Sequence, residues 1–286
     1  MIDWIQGEKF MGLANHIYAP PDGRVILKRH PGERKYFTPK HYHYLSNTLI
    51  HDKLKDNDII YTHTCYMEEL LDNISNVNKK LILITHNCDA NVDVFPPDNV
   101  IRWFSQNVNI IHDKIESLPI GLENSRWYQD VHKREKMVDK LQQPRNYRNL
   151  VYMNHNISTY PQERRNVYAL LENKPWVTSV HGTNPCNFDD YIDNIYNHKY
   201  IICPRGNGMD THRLWETLYM GSIPIVKTDI NNWFYNDMPI LYVNAWEEVT
   251  EELLIDMLHM YSGELWNKNK LTFEYWKNRI LKYAER

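Results

Sequence analysis

Short runs of consecutive apolar residues alternate along the chain with stretches in which hydrophobic residues return every three or four positions. That alternation predicts an α/β fold, with helices covering both faces of largely parallel sheets. Residues 58–64 read as a strand and residues 67–77 as a helix. Residues 80–85 form a strand so continuously apolar that both of its faces must be covered. A further strand spans 100–104, and residues 115–120 lead through Leu118-Pro119-Ile120-Gly121 into a loop. A charged helix over 132–141 is broken at Gln142-Gln143-Pro144-Arg145-Asn146, which sets a domain boundary. The pattern restarts with strands at 150–153, 176–180, 200–203, 223–226 and 240–243. Helices fall between them at 161–172, with proline at its start, at 188–197, with an acidic first turn, and after residue 210. Two more helical stretches, 246–261 and 265–283, close the chain. The expected domains are therefore 1–146 and 147–264, with 265–286 as a terminal helix. The first 55 residues are the least patterned. Pro20-Pro21-Asp22-Gly23 marks a turn, 25–27 a strand, and His41-Tyr42-His43 alternates as a strand does.

One stretch carries more chemistry than the others. Tyr200 to Cys203 is apolar and stops at Pro204, and Arg205-Gly206-Asn207-Gly208 is a loop whose glycines let a ligand approach the backbone. Asp210 or Thr211 can cap the helix that follows, and Gly221 closes it. At 100° per residue Leu214, Trp215, Leu218 and Tyr219 share one side, while His212, Arg213 and Glu216 share the other. A helix N-terminus, a glycine loop and two cationic side chains suit a diphosphate, and Glu216 can accept hydrogen bonds from a ribose diol. An ordinary βαβ turn with an Arg213–Glu216 surface pair fits the same residues.

The stretch resembles the donor-binding motif of exostosin-like glycosyltransferases. Cys203 to Gly206, Arg213 to Glu216 and Gly221 to Val226 match its Cys-Pro-Arg-Gly, Arg-Leu-x-Glu and Gly-Ser-Ile-Pro-Ile elements at the right spacing. Weaker likeness extends over 103–107, 118–121 and 149–165. The resemblance implies a GT-B fold: two Rossmann-like domains facing across a cleft, a terminal helix packing back on the N-terminal domain, and a nucleotide-sugar on the C-terminal one. Leu265, Trp266, Phe273, Trp276 and Ile280 are the residues expected to bury on that return. It further implies UDP-sugar as co-substrate, a carbohydrate hydroxyl on a glycan or glycoprotein as acceptor, inversion, and no metal or other cofactor. In such folds the loop after the first C-terminal strand approaches the donor phosphates. That makes Asn156 and Arg164 or Arg165 candidate contacts, with a solvated helix face as the competing reading. His181 ends the next strand, where a base or ribose can rest.

An inverting transfer needs a base for the acceptor hydroxyl. His86 and Asp89 lie just past the strand at 80–85, where α/β folds present ligands, and Glu123 follows the Pro-Ile-Gly loop. Each is also an ordinary turn residue. Asp56-Asn57-Asp58 precedes its strand and reads as a charged turn. Asp93 shares the chemistry of Asp89.

Composition narrows the classes. A net charge of −3 over 286 residues makes nucleic acid no default partner. The 20 Tyr and 9 Trp can stack on sugars or simply fill a core. Four cysteines without CxxC spacing read as reduced thiols in a cytoplasmic protein, and no signal peptide or membrane span stands out. Two other classes stay open: a metal-dependent hydrolase or deacetylase using His41, His43, His63 and His86, and a non-catalytic carbohydrate-binding module.

Overall fold

Parallel strands, buried on both faces, make the two sheets around which the chain is built. The computed structural model describes residues 2–18, 43–45, 51–124, 133–180, 187–263 and 266–285. Contacts divide the chain into two units, Met1–Gln129 with Asn269–Arg286, and Asp130–Lys268.

The first unit holds β1 (His16–Tyr18), β2 (His43–Leu45), β3 (Asp58–His63), β4 (Leu81–His86), β5 (Val100–Ser105) and β6 (Ile115–Ser117). They pair in the order β2-β1-β3-β4-β5-β6, every pair parallel. Every residue of β4 is buried, as its continuous apolar run requires. The helix α1 (Gly7–Met11) touches β4, and α2 (Met67–Ile74) follows a single 3-10 turn at Thr64–Tyr66. Neither α1 nor β1 stands out in the sequence, because elements of five and three residues are too short to display a period. The turn and strand expected at 20–27, and His41, lie outside the described residues.

The second unit holds β7 (Asn149–Met153), β8 (Val177–Ser179), β9 (His198–Ile202), β10 (Ile223–Lys227) and β11 (Leu241–Val243), all parallel in the order β8-β7-β9-β10-β11. Counting strands within each unit, the first sheet runs 2-1-3-4-5-6 and the second 2-1-3-4-5. This is the doubly wound, flavodoxin-like order, whose topological switch lies between the first and third strands. The helices α3 (Lys133–Leu141), α4 (Pro161–Leu171), α5 (Phe188–Tyr196), α6 (His212–Tyr219), α7 (Ile230–Trp233) and α8 (Glu251–Gly263) belong here too. The charged helix α3 packs on α5 through Lys136–Asp189 and Lys140–Asp193 pairs, so it goes with the second unit although the sequence break comes after it.

The terminal helix α9 (Phe273–Ala284) returns to the first unit, as the resemblance implies. Trp276 and Ile280 are fully buried, Glu274 N–H donates to Asp3 at 2.7 Å, and Arg279 pairs with Glu116. The helix is shorter than the sequence suggests. A 3-10 turn at Lys268–Leu271 precedes it, Trp266 stacks on Tyr261 of α8 instead, and Leu265 is outside the described residues.

Candidate functional site

The switch point of the second sheet lies between the neighbouring strands β7 and β9, and three arginines gather at their carboxyl ends. Past β9 the chain turns through Pro204, and the Gly206 amide donates to Gly208 O at 3.0 Å, folding the loop on itself. Arg164, buried on α4, clamps that loop. Its Nε donates to Arg205 O at 2.8 Å and Nη2 to Pro204 O at 3.2 Å. Nη1 reaches Asn156 O at 2.7 Å and the Thr159 hydroxyl. A Cβ on Gly206 would stand 3.2 Å from Arg164 Nη2, so a glycine there lets the guanidinium lie against the loop. Arg164 is thus chiefly a bolt between the β7 and β9 loops. Burial, and the nearby charge of Arg213, lower its pKa to about 10, which still leaves it charged at neutral pH.

Arg213 stands in the first turn of α6. Its guanidinium lies over the Tyr191 ring at 5.1 Å, and its Nη1 is buried with no hydrogen-bond partner. Burial works against its charge, but Tyr191, Cys203 and Glu216 outweigh that and raise its pKa. A buried, charged donor without an acceptor costs free energy that a bound anion would return. Glu216, one turn on, is buried and accepts from the Tyr191 hydroxyl at 2.6 Å. Burial and that carboxylate hold the Tyr191 hydroxyl well above its usual range, so it stays a donor. Leu214, Trp215, Leu218 and Tyr219 are buried against the sheet, on the side the helical wheel assigns them. Gly221, at φ +69°, ends the helix in a Schellman turn, with Ser222 N–H bonded to Thr217 O at 3.1 Å.

Other candidates fall differently. Thr211, not Asp210, occupies the N-cap position. Asp210 is buried and takes the Trp215 indole N–H on both oxygens, at 2.9 and 3.0 Å, so it braces the helix. His212 is half-buried and begins α6, Asn207 is exposed, and Gly208 is buried beneath the loop. Asn156 is exposed, and its side chain caps the turn at Ile157–Thr159. Arg165 is exposed on α4. His181 lies outside the described residues. Arg205 stacks on Tyr160 at 4.5 Å and lines a cavity of about 240 Å³ at the ends of β9 and β10, with Lys227, Asp229 and Asn232. Burial raises the Asp229 carboxyl to about 6 although it caps α7 through the Asn232 amide at 2.7 Å. Tyr191, Tyr160, Lys227 and Asp229 were not singled out from the sequence. Asp229 carried a signal, an N-cap before a short helix; the tyrosines become visible only when α4 and α5 pack beside the loop.

The first sheet's carboxyl edge is built otherwise. His86 is fully buried: its Nδ1 accepts from Asn87 N–H at 2.8 Å, and Nε2 donates to Pro119 O at 3.1 Å. Asn87, at φ +58°, donates to the Tyr61 hydroxyl at 2.8 Å and accepts from Asn124 at 2.9 Å. Gly7 of α1 sits so close that a Cβ would meet Asn87 Oδ1 at 1.9 Å. His86 therefore spends both nitrogens on backbone. Asp89 is exposed just beyond, and Glu123 is half-buried, its carbonyl accepting from Gln6 at 2.9 Å. Of the four histidines of the hydrolase alternative, His86 is so engaged, His63 stacks on Tyr66, His43 begins β2, and His41 lies outside the described residues. Among the described residues no three His, Cys, Asp or Glu side chains gather as metal ligands, and no helix is long and apolar enough to cross a membrane.

No family model matches the chain, so the likeness to exostosin-like enzymes stands on the residues quoted above. No curated protein matches it either. Among solved structures, an E. coli structure described as trehalose-6-phosphate bound with UDP-2-fluoro glucose aligns with 84% of this chain and 75% of its own. The identity is 14% and the TM-score 0.44. The OtsA apo structure aligns with 84% of this chain and 74% of its own, at 14% identity and a TM-score of 0.42. The chain is a two-unit α/β protein of Rossmann-like type, and the reading of its chemistry rests on the site residues.

Proposed function

We propose that the chain is a glycosyltransferase of the exostosin-like, GT-B kind, moving a sugar from a UDP-sugar to a carbohydrate hydroxyl on a glycan or glycoprotein. One observation carries the reading: Arg213, half-buried and charged, has a buried Nη1 without an acceptor, beside a glycine loop and a helix start at a switch point. A diphosphate matches that demand. In this reading Arg213, Arg205 and the α6 amides neutralise the leaving UDP electrostatically, without a metal. Glu216, oriented by Tyr191, accepts from the ribose diol. Arg164 acts by positioning, since its donors already hold the loop. Inversion requires a base, and Asp89, exposed on its turn, takes that role ahead of Glu123, while the bonded His86 does not.

The test is a thermal-shift series with UDP, UMP and uridine. UDP should raise the melting temperature of the native chain most and leave Arg213→Met unmoved, with that variant's own melt showing that it folds. No response of the native chain to any nucleoside diphosphate would overturn the reading.

A further inference from the structure

A pair of thiols outside that site is placed to form a bond. His63 and His86 are register partners on the parallel strands β3 and β4, whose backbones run about 4.8 Å apart. Two residues past each partner stand Cys65, in the turn Thr64–Tyr66, and Cys88, in the bend that leads to Asp89. Both cysteines are free, Cys65 is exposed and Cys88 half-buried. Their side chains lie close enough for Cys88 to perturb the Cys65 thiol. The last register pair, His63 and His86, thus brings the two segments that carry the cysteines out of the sheet side by side. The Cys88 backbone is held in place, since its carbonyl accepts from Asn107 Nδ2 at 3.2 Å.

We propose that Cys65 and Cys88 are a reversible redox site, closing to an intramolecular disulfide when a small-molecule disulfide oxidant is present. In the first step one cysteine, as thiolate, attacks a sulfur of the oxidant, forming a mixed disulfide and expelling one thiolate. The second cysteine then gives its proton to solvent, attacks the first cysteine's sulfur and expels the other thiolate. Two protein thiols are oxidised, and one external disulfide is reduced to two thiols. Burial and the neighbouring Cys88 push the Cys65 thiol up to about 12, so Cys65 is protonated near neutral pH. The link ties the turn after β3 to the bend carrying Asp89 and closes a loop that the unfolded chain would otherwise explore freely.

The experiment incubates the full chain with oxidised glutathione, blocks free thiols, and maps the linkages by peptide mass spectrometry. The expected product is lighter by two hydrogens, joins the Cys65 and Cys88 peptides, melts at a higher temperature than the reduced chain, and reverts with dithiothreitol. Cys65→Ser should melt like the reduced parent and gain only a glutathione adduct. A stable glutathione adduct on either cysteine of the parent, a link through Cys186 or Cys203, or two thiols that stay fully alkylatable would each overturn the proposal. The readout is independent of nucleotide binding, so its failure and that of the donor site are told apart.

Discussion

Past β4, Asn87, Asn124, Tyr61 and His86 close a neutral network under Gly7, with side chains and backbone satisfying one another. Past β9, at the same edge of a sheet that starts with the same 2-1-3 order, the charge of Arg213 bears on Arg164, and one guanidinium nitrogen is left unsatisfied. The first arrangement is complete by itself and stabilises a fold. The second is incomplete, and the proposed function fills it with an anion. Topology supplies the place for a ligand, but the residues on the loops decide whether the place is filled by protein or left for something else.

Breaking the second edge should give the largest effect. Arg213→Met is expected to weaken UDP binding at least about a hundredfold, roughly 3 kcal/mol, because a charge-assisted contact to phosphate is lost. Calorimetric titration checks it, and Arg213→Lys should recover little, since a point charge lacks the fork and the stacking on Tyr191. The first edge should answer in stability instead. Gly121 has φ +64°, and a Cβ there would meet Ile5 O at 2.3 Å, so Gly121→Ala should cost about 3 kcal/mol in denaturant unfolding. The affinity of the folded fraction for UDP should not change; a parallel loss of affinity would break the contrast.

Smaller effects sharpen it. Glu216→Gln should lower affinity for UDP about tenfold, ~1.4 kcal/mol, and leave affinity for the 2′,3′-dideoxy nucleotide unchanged, if the carboxylate reads the diol. Last comes pH. The Asp229 carboxyl lies at about 6 in the folded chain against an ordinary 3.8, so the folded state holds the proton more tightly. The stability this contributes is fully present below 3.8 and is lost as pH rises from there through about 6. Discounted for partial exposure, the loss is about 1 kcal/mol. Asp229→Asn, which keeps a capping oxygen for Asn232, should flatten the melting temperature across that window.

Much of the fold is legible in the chain. The continuous apolar run of β4, the proline that starts α4 and the glycine that ends α6 each name their element through local physics. So does the α6 stripe, because a 3.6-residue period commits Leu214, Trp215 and Leu218 to one side whatever lies opposite. Arg213 and Glu216 are legible as neighbours on one helix. Other roles are not. His86 and Asp210 carry ionisable side chains in suggestive places, yet their partners are Pro119 O and the Trp215 indole, a backbone group and a ring that no spacing rule connects to catalysis. Arg164 and Arg165 are adjacent and chemically identical. Only packing buries the first under the loop and leaves the second in water.

By itself the sequence determined the periodicities: which segments become strand or helix, which faces they bury, and where the turns and caps fall. Those depend on residues a few positions apart. The tertiary structure alone decided the strand order, the second unit's hold on α3, and the return of α9. It alone decided, too, which arginine is spent as a clamp and which is left unsatisfied. Such outcomes turn on hydrogen bonds and desolvation between residues from 40 to more than 270 positions apart, where no local pattern reaches.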